Sequence, residues 1–152
     1  MNMDRAEKAA ALFADGCNCS QAVFAAFADE FGLDEDLAKR LACGLGGGVG
    51  RMREVCGAVS AAAMVLGMRF GPDKAAAYPA IQDFGAAFKA EVGSIVCRER
   101  LAGTGATTGG APEPRTPDYY RKRPCVELVR LAASLLDEPE RRTPNAAGRE
   151  VA

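Results

Sequence analysis

The sequence predicts an all-α fold, a single-domain helical bundle of about six to seven helices with a long loop before the last helix. Apolar residues recur three and four positions apart in successive segments, which is the period of a helix that buries one face. Most of these segments begin at a residue that caps helix N-termini, and several end at glycine. No segment alternates like a half-buried strand, so we expect helices packed on helices.

Caps mark the first three helices. We predict the first helix over residues 4–14. Asn18 is a good N-cap for a second helix that ends at Gly32, and Asp34 caps a third. On this third helix the apolar positions that we expect to be buried are Leu37, Ala38, Leu41, Ala42 and Leu45.

The middle of the chain carries its most apolar stretch. Glycines interrupt the helical pattern over residues 44–50, and a long core helix is predicted over 51–67. The apolar stretch has 14 positions, which is shorter than the ~20 residues of a membrane span. Asp73 caps the next helix, which runs to about Val92, and Pro79 either kinks this helix or marks its true start.

The C-terminal third contains the long loop. Ser94 is expected to cap a short helix, and residues 102–124 are rich in Gly, Thr and Pro, which predicts a loop that is functional or mobile. Pro124 suits the first turn of the last helix. We therefore expect a helical, cysteine-containing domain at 1–136 and a polar, disordered tail at 137–152.

Composition excludes several function classes. The formal net charge of −1 gives no general attraction to nucleic acid or an acidic membrane. No secretory signal is visible at the start, so we expect a cytoplasmic protein. The chain has no histidine, which removes Ser-His-Asp catalysis, Cys-His catalysis and every histidine metal site.

Six cysteines are the residues that point to a function. Because the cytosol keeps thiols reduced, so many cysteines favour catalytic, redox-sensing or metal-binding use over structural disulfides. Any one of them alone could be a small apolar core residue, but this explanation is improbable for all six. They are Cys17, Cys19, Cys43, Cys56, Cys97 and Cys125.

The positions of these cysteines narrow the chemistry. Cys19, Cys97 and Cys125 each fall in the first turn of a predicted helix, where free backbone N–H groups and the helix dipole favour a thiolate. Cys56 is expected deeper, in the second turn of the core helix. No Cys-x-x-Cys occurs, so any joint site must be assembled by the fold from different helices.

The other two cysteines carry weaker signals. Cys17 forms a Cys-x-Cys pair with Cys19, and both sulfurs could point at one centre because the pair straddles a helix start. Cys43 lies opposite the leucine stripe of the third helix and is interpreted as an incidental surface or inter-helix thiol.

Two further segments are candidate anion sites. The glycine run before Arg51 and Arg53 could cradle an anion with its backbone N–H groups, but a tight turn that lets helices approach Cys56 is the favoured interpretation. A basic-aromatic patch precedes Cys125 and could lower the pKa of that thiol. The patch consists of Arg115, Tyr119, Tyr120, Arg121, Lys122 and Arg123.

Four ordered motifs resemble those of a family described as putative redox-active proteins and named for the pattern C_GCAxxG_C_C. They are GCNCSQAV at 16–23, GGGVGR leading into VCGAV over 46–59, GSIVC at 93–97 and CVELV at 125–129. The resemblance covers roughly residues 5–136. Two departures occur: Val55 precedes the second motif's cysteine, and an alanine stands where that motif ends in glycine.

The resemblance implies a set of shared cysteines, with Cys17 and Cys43 as extra, auxiliary ones. The shared set is Cys19, Cys56, Cys97 and Cys125. The family name implies redox activity but little mechanism beyond what the cysteines themselves suggest.

Three hypotheses follow, in order of preference. The first is a thiol–disulfide oxidoreductase without a cofactor, in which the four shared cysteines are the catalytic set and a low-pKa thiol such as Cys97 or Cys125 attacks. The second is a metal–thiolate protein, in which the same four bind zinc or an iron–sulfur cluster. The third is a non-catalytic helical interaction module.

The sequence says less about the binding partners of the protein than about its cysteine chemistry. Under the first hypothesis we expect a redox partner protein or a small thiol, and neither nucleic acid nor membrane. A homodimer is compatible with the Ala-rich helices.

Overall fold

The computed structural model describes residues 4–142 as a bundle of helices. These are α1 (Arg5–Ala14), α2 (Cys19–Ala26), α3 (Glu35–Ala42), α4 (Gly46–Val49), α5 (Gly57–Phe70), α6 (Lys74–Val92), α7 (Cys97–Arg100), α8 (Pro117–Lys122), α9 (Cys125–Leu136) and α10 (Pro139–Arg142). Short 3₁₀ turns at Ala28–Phe31 and Cys43–Leu45 join α2 to α3 and α3 to α4. Residues 4–142 contain no strand, so the predicted all-α fold is confirmed.

Side-chain caps begin the helices where the sequence predicts them. Asp4, Asn18, Asp34 and Asp73 each accept a hydrogen bond from a backbone N–H in the first turn of the helix that follows. The helix capped by Asp73 runs through Pro79 to Val92, so this proline does not mark its start.

The predicted core helix over 51–67 begins later than expected, at Gly57. Residues 47–51 all have positive φ, which is a left-handed turn that cannot continue into a right-handed helix. Residues 53–56 instead pair with the 95–98 segment, through hydrogen bonds that include Cys56 N to Ile95 O (2.8 Å) and Cys97 N to Glu54 O (2.6 Å).

The burial predicted for the third helix is confirmed for its two alanines and wrong for Leu37 and Leu41. Leu37 and Leu41 are 42% and 53% exposed, whereas Ala38 and Ala42 are fully buried. The helix packs on α2, and its small residues allow the two backbones to come close, which leaves the leucines outside.

The loop and tail are more ordered than the sequence suggests. Within the predicted loop 102–124, α8 forms one short helix. Within the predicted tail, α10 ends at Arg142, and the Arg141 side chain is buried against Asp83 and Glu138. Residues 143–152 lie outside the described part of the chain, so the boundary at 136 otherwise stays a prediction.

The second helix, α2, lies at the centre of the bundle. It contacts α1, α3, α5 and α9. Its alanines are buried, as are Ala58, Ala61 and Ala62 of α5, which permits close packing of the two helices, while phenylalanines fill the rest of the core. The largest fully buried side chains include Phe13, Phe24, Phe27, Phe84, Phe88 and Leu66. Between residues 4 and 142 no helix is long and apolar enough to cross a membrane.

Candidate functional site

Four helix N-termini meet at one small cavity. Cys19, Cys97 and Cys125 are the first residues of α2, α7 and α9, as the sequence predicts, and Cys56 is the N-cap of α5. The expectation that Cys56 lies in a second helical turn is therefore wrong, because α5 starts at Gly57. All four cysteines line a cavity of about 50 Å³.

The position of Cys19 is fixed by the cap before it. The Asn18 side chain accepts from Gln21 N at 2.8 Å, and the Gln21 side chain accepts from Asn18 N at 2.9 Å, which is a reciprocal capping box. Asn18 also donates to the carbonyl of Cys43 at 3.0 Å. The first turn of α2 is thereby tied to the chain that leads into the glycine run.

Cys56 and Cys97 are held together by backbone pairing and by the glycine run. Three backbone hydrogen bonds between the 53–56 and 95–98 segments place the start of α5 beside the start of α7. Gly48 packs against this junction so closely that a Cβ there would lie 2.7 Å from Cys97 Cβ. The favoured interpretation of the glycine run, a tight turn that permits a close approach to the cysteines, agrees with this contact.

Arginines surround the thiols, and none of the residues that line the cavity is acidic. Arg53, Arg100 and Arg123 all line it. Arg53 is only 5% exposed, and its Nη1 lies 3.7 Å from Cys97 Sγ. The Arg123 guanidinium stacks on the ring of half-buried Tyr119, 4.3 Å from its centroid. Positive side chains and helix N-termini together make the cavity favourable for negative charge.

Cys19 and Cys125 form a pair of unlike thiols. The hydrogen bond between them lowers the pKa of Cys125 and raises the pKa of Cys19 well above its ordinary value. Arg123 and Arg53 lower the pKa of Cys125 further, against the opposite effect of burial. In this pair negative charge is therefore favoured on Cys125 and the proton on Cys19.

Cys56 and Cys97 are held as neutral thiols. Burial raises the pKa of Cys56 to about 11, although the backbone N–H groups of Ala58 and Val59 act in the opposite direction. Burial also raises the pKa of Cys97, with Arg53 opposing it. Of the two attacking thiols that the sequence suggests, the electrostatics therefore favour Cys125.

The two auxiliary cysteines do not line the cavity. Cys17 is buried, and its carbonyl accepts from Arg115 Nη2 at 2.8 Å. Cys43 is exposed, as expected, and lies on a neighbouring pocket instead. The Cys-x-Cys pair thus contributes only Cys19 to the cavity.

The second hypothesis makes the same four cysteines the ligands of a metal site. Within residues 4–142, no group of three or more Cys, Asp or Glu side chains is arranged to hold a metal ion. The zinc or iron–sulfur alternative therefore stays a prediction without support from the geometry, and we derive no step through a metal.

Sequence reasoning missed the contact of Arg53 with a thiol and the position of Arg100 on the cavity wall. Arg53 stood out only as the end of the glycine run, because its contact with Cys97 depends on pairing between segments more than 40 positions apart. The basic-aromatic patch gave a better signal, since Arg123 and Arg115 do lower the pKa of Cys125. Arg121 and Lys122 of that patch instead pair with Asp118 at the surface.

Comparison with known proteins gave one match. A family model described as "Putative redox-active protein (C_GCAxxG_C_C)" matches residues 17–139. Searches of curated proteins and of solved structures gave no match.

Proposed function

The chain belongs to the C_GCAxxG_C_C family, and from its cysteine cavity we propose that it carries out thiol–disulfide exchange with Cys125 as the attacking thiol and Cys19 as the resolving thiol. The observation that carries this proposal is the meeting of four cysteines from four helix starts at one arginine-lined cavity. The opposite pKa shifts of Cys19 and Cys125 support the choice of the pair. One thiol of the pair has a lowered pKa and the other a raised pKa, and each depends on the other.

In the first step the Cys125 thiolate attacks one sulfur of a substrate disulfide. A bond forms between Cys125 and that sulfur, the substrate disulfide breaks, and the second substrate sulfur leaves as a thiolate. Arg123 and Arg53 favour the thiolate before the attack.

In the second step Cys19 resolves the mixed disulfide. Once Cys125 is no longer an anion, Cys19 loses its proton to the departing thiolate, and its own thiolate attacks the Cys125 sulfur. The Cys19–Cys125 disulfide forms and the first substrate sulfur leaves, so the substrate gains two electrons and the protein dithiol loses two.

The proposal is tested by locating the disulfide. The full chain is equilibrated in buffers of reduced and oxidised dithiothreitol over the physiological range of potential, quenched with acid, alkylated and mapped by mass spectrometry. We expect one reversible disulfide, between Cys19 and Cys125. Cys43→Ser is the matched control, because Cys43 is exposed and lies outside the cavity, and this variant should give the same pair.

Four results would overturn the proposal in different ways. Thiols that stay free over the whole range would exclude thiol–disulfide exchange, and stoichiometric iron or zinc after anaerobic purification would favour the metal hypothesis. A reversible disulfide between Cys56 and Cys97 would keep the chemistry but overturn the assignment of the pair. If replacing all four cavity cysteines by serine changes only stability, the interaction-module hypothesis gains support.

A further inference from the structure

A second pocket of about 270 Å³ adjoins the thiol cavity. The two share five lining residues, which are Asn18, Gly47, Arg53, Tyr119 and Arg123. Arg51 and Arg115 also line this outer pocket, and Glu113 is its one acidic lining residue. Four arginines and one glutamate leave the pocket with an excess of positive charge, directly beside the reactive sulfurs.

Three of these four arginines already have hydrogen-bond or ion-pair partners within the chain. Arg51 donates to Thr107 and to the Gly109 carbonyl and lies 3.8 Å from Glu113, which also forms an ion pair with Arg123. The guanidinium of Arg115 donates to the backbone of Phe13 and Cys17. These contacts explain the geometry of the pocket wall without a ligand.

Arg53 is the exception. Its Nε donates to the Thr107 carbonyl at 3.0 Å and its Nη1 faces Cys97, but Nη2 is buried and has no hydrogen-bond partner among residues 4–142. A buried guanidinium N–H without an acceptor is costly, which points to an acceptor that the chain does not itself supply. Since Arg53 lines both the thiol cavity and the outer pocket, such an acceptor would lie between them.

Resting on the proposed thiol–disulfide exchange, we infer that the substrate is a small disulfide that carries a carboxylate, and that Arg53 binds this carboxylate. The volume of the outer pocket suits a small molecule rather than a folded protein. A planar carboxylate matches the N–H groups of a guanidinium, and its charge suits the arginine-rich wall. With the carboxylate at Arg53, the substrate sulfur faces the cavity that holds Cys125 and Cys19.

The test compares three small disulfides of similar size but different charge. These are dithiodipropionate (anionic), hydroxyethyl disulfide (neutral) and cystamine (cationic). Rate constants for their reduction by the fully reduced chain are measured under pseudo-first-order conditions. We expect the wild type to prefer the anionic over the neutral disulfide by roughly tenfold or more, because hydrogen bonds to charged groups are strong.

Two variants should move this preference in opposite directions. Arg53→Met should bring the ratio of anionic to neutral rates close to one, and the neutral disulfide reports any general change in thiol reactivity. Glu113→Gln removes the competing carboxylate from the pocket and should raise the ratio. Arg121→Met is the matched control, because Arg121 is an exposed arginine outside both pockets, and it should leave the ratio unchanged.

The outcomes separate this inference from the proposed function. A wild type that reduces all three disulfides equally, or an Arg53→Met variant that keeps the preference, would overturn the carboxylate site and leave thiol–disulfide exchange standing. A wild type that reduces none of them would count against the exchange chemistry itself. Glutarate, a dicarboxylate without sulfur, should slow the alkylation of Cys125 in the wild type but not in Arg53→Met. If glutarate does not slow alkylation in the wild type, the carboxylate site is overturned even when the protein reduces no disulfide.

Discussion

At the scale of single residues, the proposed exchange depends on two thiols that line the same cavity but whose pKa values shift in opposite directions. Each opens a helix, and each is largely surrounded by protein. The difference comes from the direction of one hydrogen bond and from the arginines nearest to Cys125. In the proposed exchange this small asymmetry of charge assigns the attack to Cys125 and the resolution to Cys19.

The role of Cys19 as proton donor gives the first prediction. Cys19→Ala removes the hydrogen bond that contributes most to lowering the pKa of Cys125, so this pKa should rise toward its ordinary value. Alkylation of Cys125 by iodoacetamide at neutral pH should slow by roughly three- to tenfold, because less of the thiol is ionised. Mass spectrometry of the Cys125 peptide measures this rate.

Cys19→Ser provides the conservative comparison. Serine keeps a hydroxyl donor at the same position, so the Cys125 rate should lie between those of the wild type and Cys19→Ala. Equal rates in wild type and Cys19→Ala would show that the arginines alone hold the thiolate.

Cys56 gives a prediction about stability and pH. Its pKa is raised from 9.0 to about 11 by burial, so its contribution to stability is fully present below pH 9 and is lost as pH rises through 11. The loss is on the order of 2 kcal/mol. Urea unfolding between pH 8 and pH 11 should show a fall in the free energy of unfolding that is smaller in Cys56→Ala.

The exposed Cys43 supplies the control for this measurement. Cys43→Ala should follow the wild-type curve. If Cys43→Ala flattens the curve as much as Cys56→Ala does, burial of Cys56 is not the cause of the alkaline loss.

At the scale of elements, the glycine run 44–50 decides how closely the helix starts can meet. A Cβ at Gly48 would lie 2.6 Å from Glu54 N and 2.7 Å from Cys97 Cβ, whereas a Cβ at Gly50 would meet nothing within 4 Å. Both residues have positive φ, +69° and +55°. A side chain added at either position would therefore strain the backbone to a similar extent. Only at Gly48 would it also clash with neighbouring atoms.

This pair of glycines separates backbone strain from close approach. Gly50→Ala should lower the free energy of unfolding by about 1 kcal/mol. Gly48→Ala should lower it by about 1–3 kcal/mol more than Gly50→Ala does, because its methyl group overpacks the contact between the starts of α5 and α7. Urea unfolding measures both. Only Gly48→Ala should also change the alkylation rate of Cys97, and equal losses of stability would contradict the tight contact.

The same elements show what sequence reasoning could and could not predict. Helix starts at Asp4, Asn18, Asp34 and Asp73 were predictable because a cap is a local interaction. The start of α5 was not, because its apolar pattern extends into a segment that pairs with residues 95–98. The exposure of Leu37 likewise depends on how close α3 lies to α2, which periodicity does not encode.

At the scale of the whole molecule, the bundle brings together four cysteines of which each is 28 to 41 positions from the next along the chain, which no local motif can do. The helix-start positions of Cys19 and Cys125 were predictable from Asn18 and Pro124. The predicted cap at Ser94 is wrong, because α7 starts at Cys97 after Val96, which makes no side-chain cap. The convergence of the four cysteines follows from the packing of α2 on α5 and α9, which requires long-range contacts between small side chains. Arg53 is part of the site for the same reason, since it reaches Cys97 from a segment 44 positions away. Arg123, by contrast, lies two positions before Cys125.

Because the proposed disulfide would join α2 to α9, it should change the stability of the entire bundle. A cross-link between Cys19 and Cys125 closes a loop of about 100 residues, for which the chain-entropy model gives up to ~4.7 kcal/mol of stabilisation. Oxidised wild type should therefore unfold at higher urea concentration than reduced wild type, and Cys19→Ser should show no such difference.

The same free energy acts on the redox equilibrium. If the disulfide stabilises the folded state, the folded state favours the disulfide to the same extent, and the dithiol is then a good reductant. An oxidised form that is less stable than the reduced form would reverse this conclusion, because the folded chain would then favour the dithiol and act as an oxidant of its substrate.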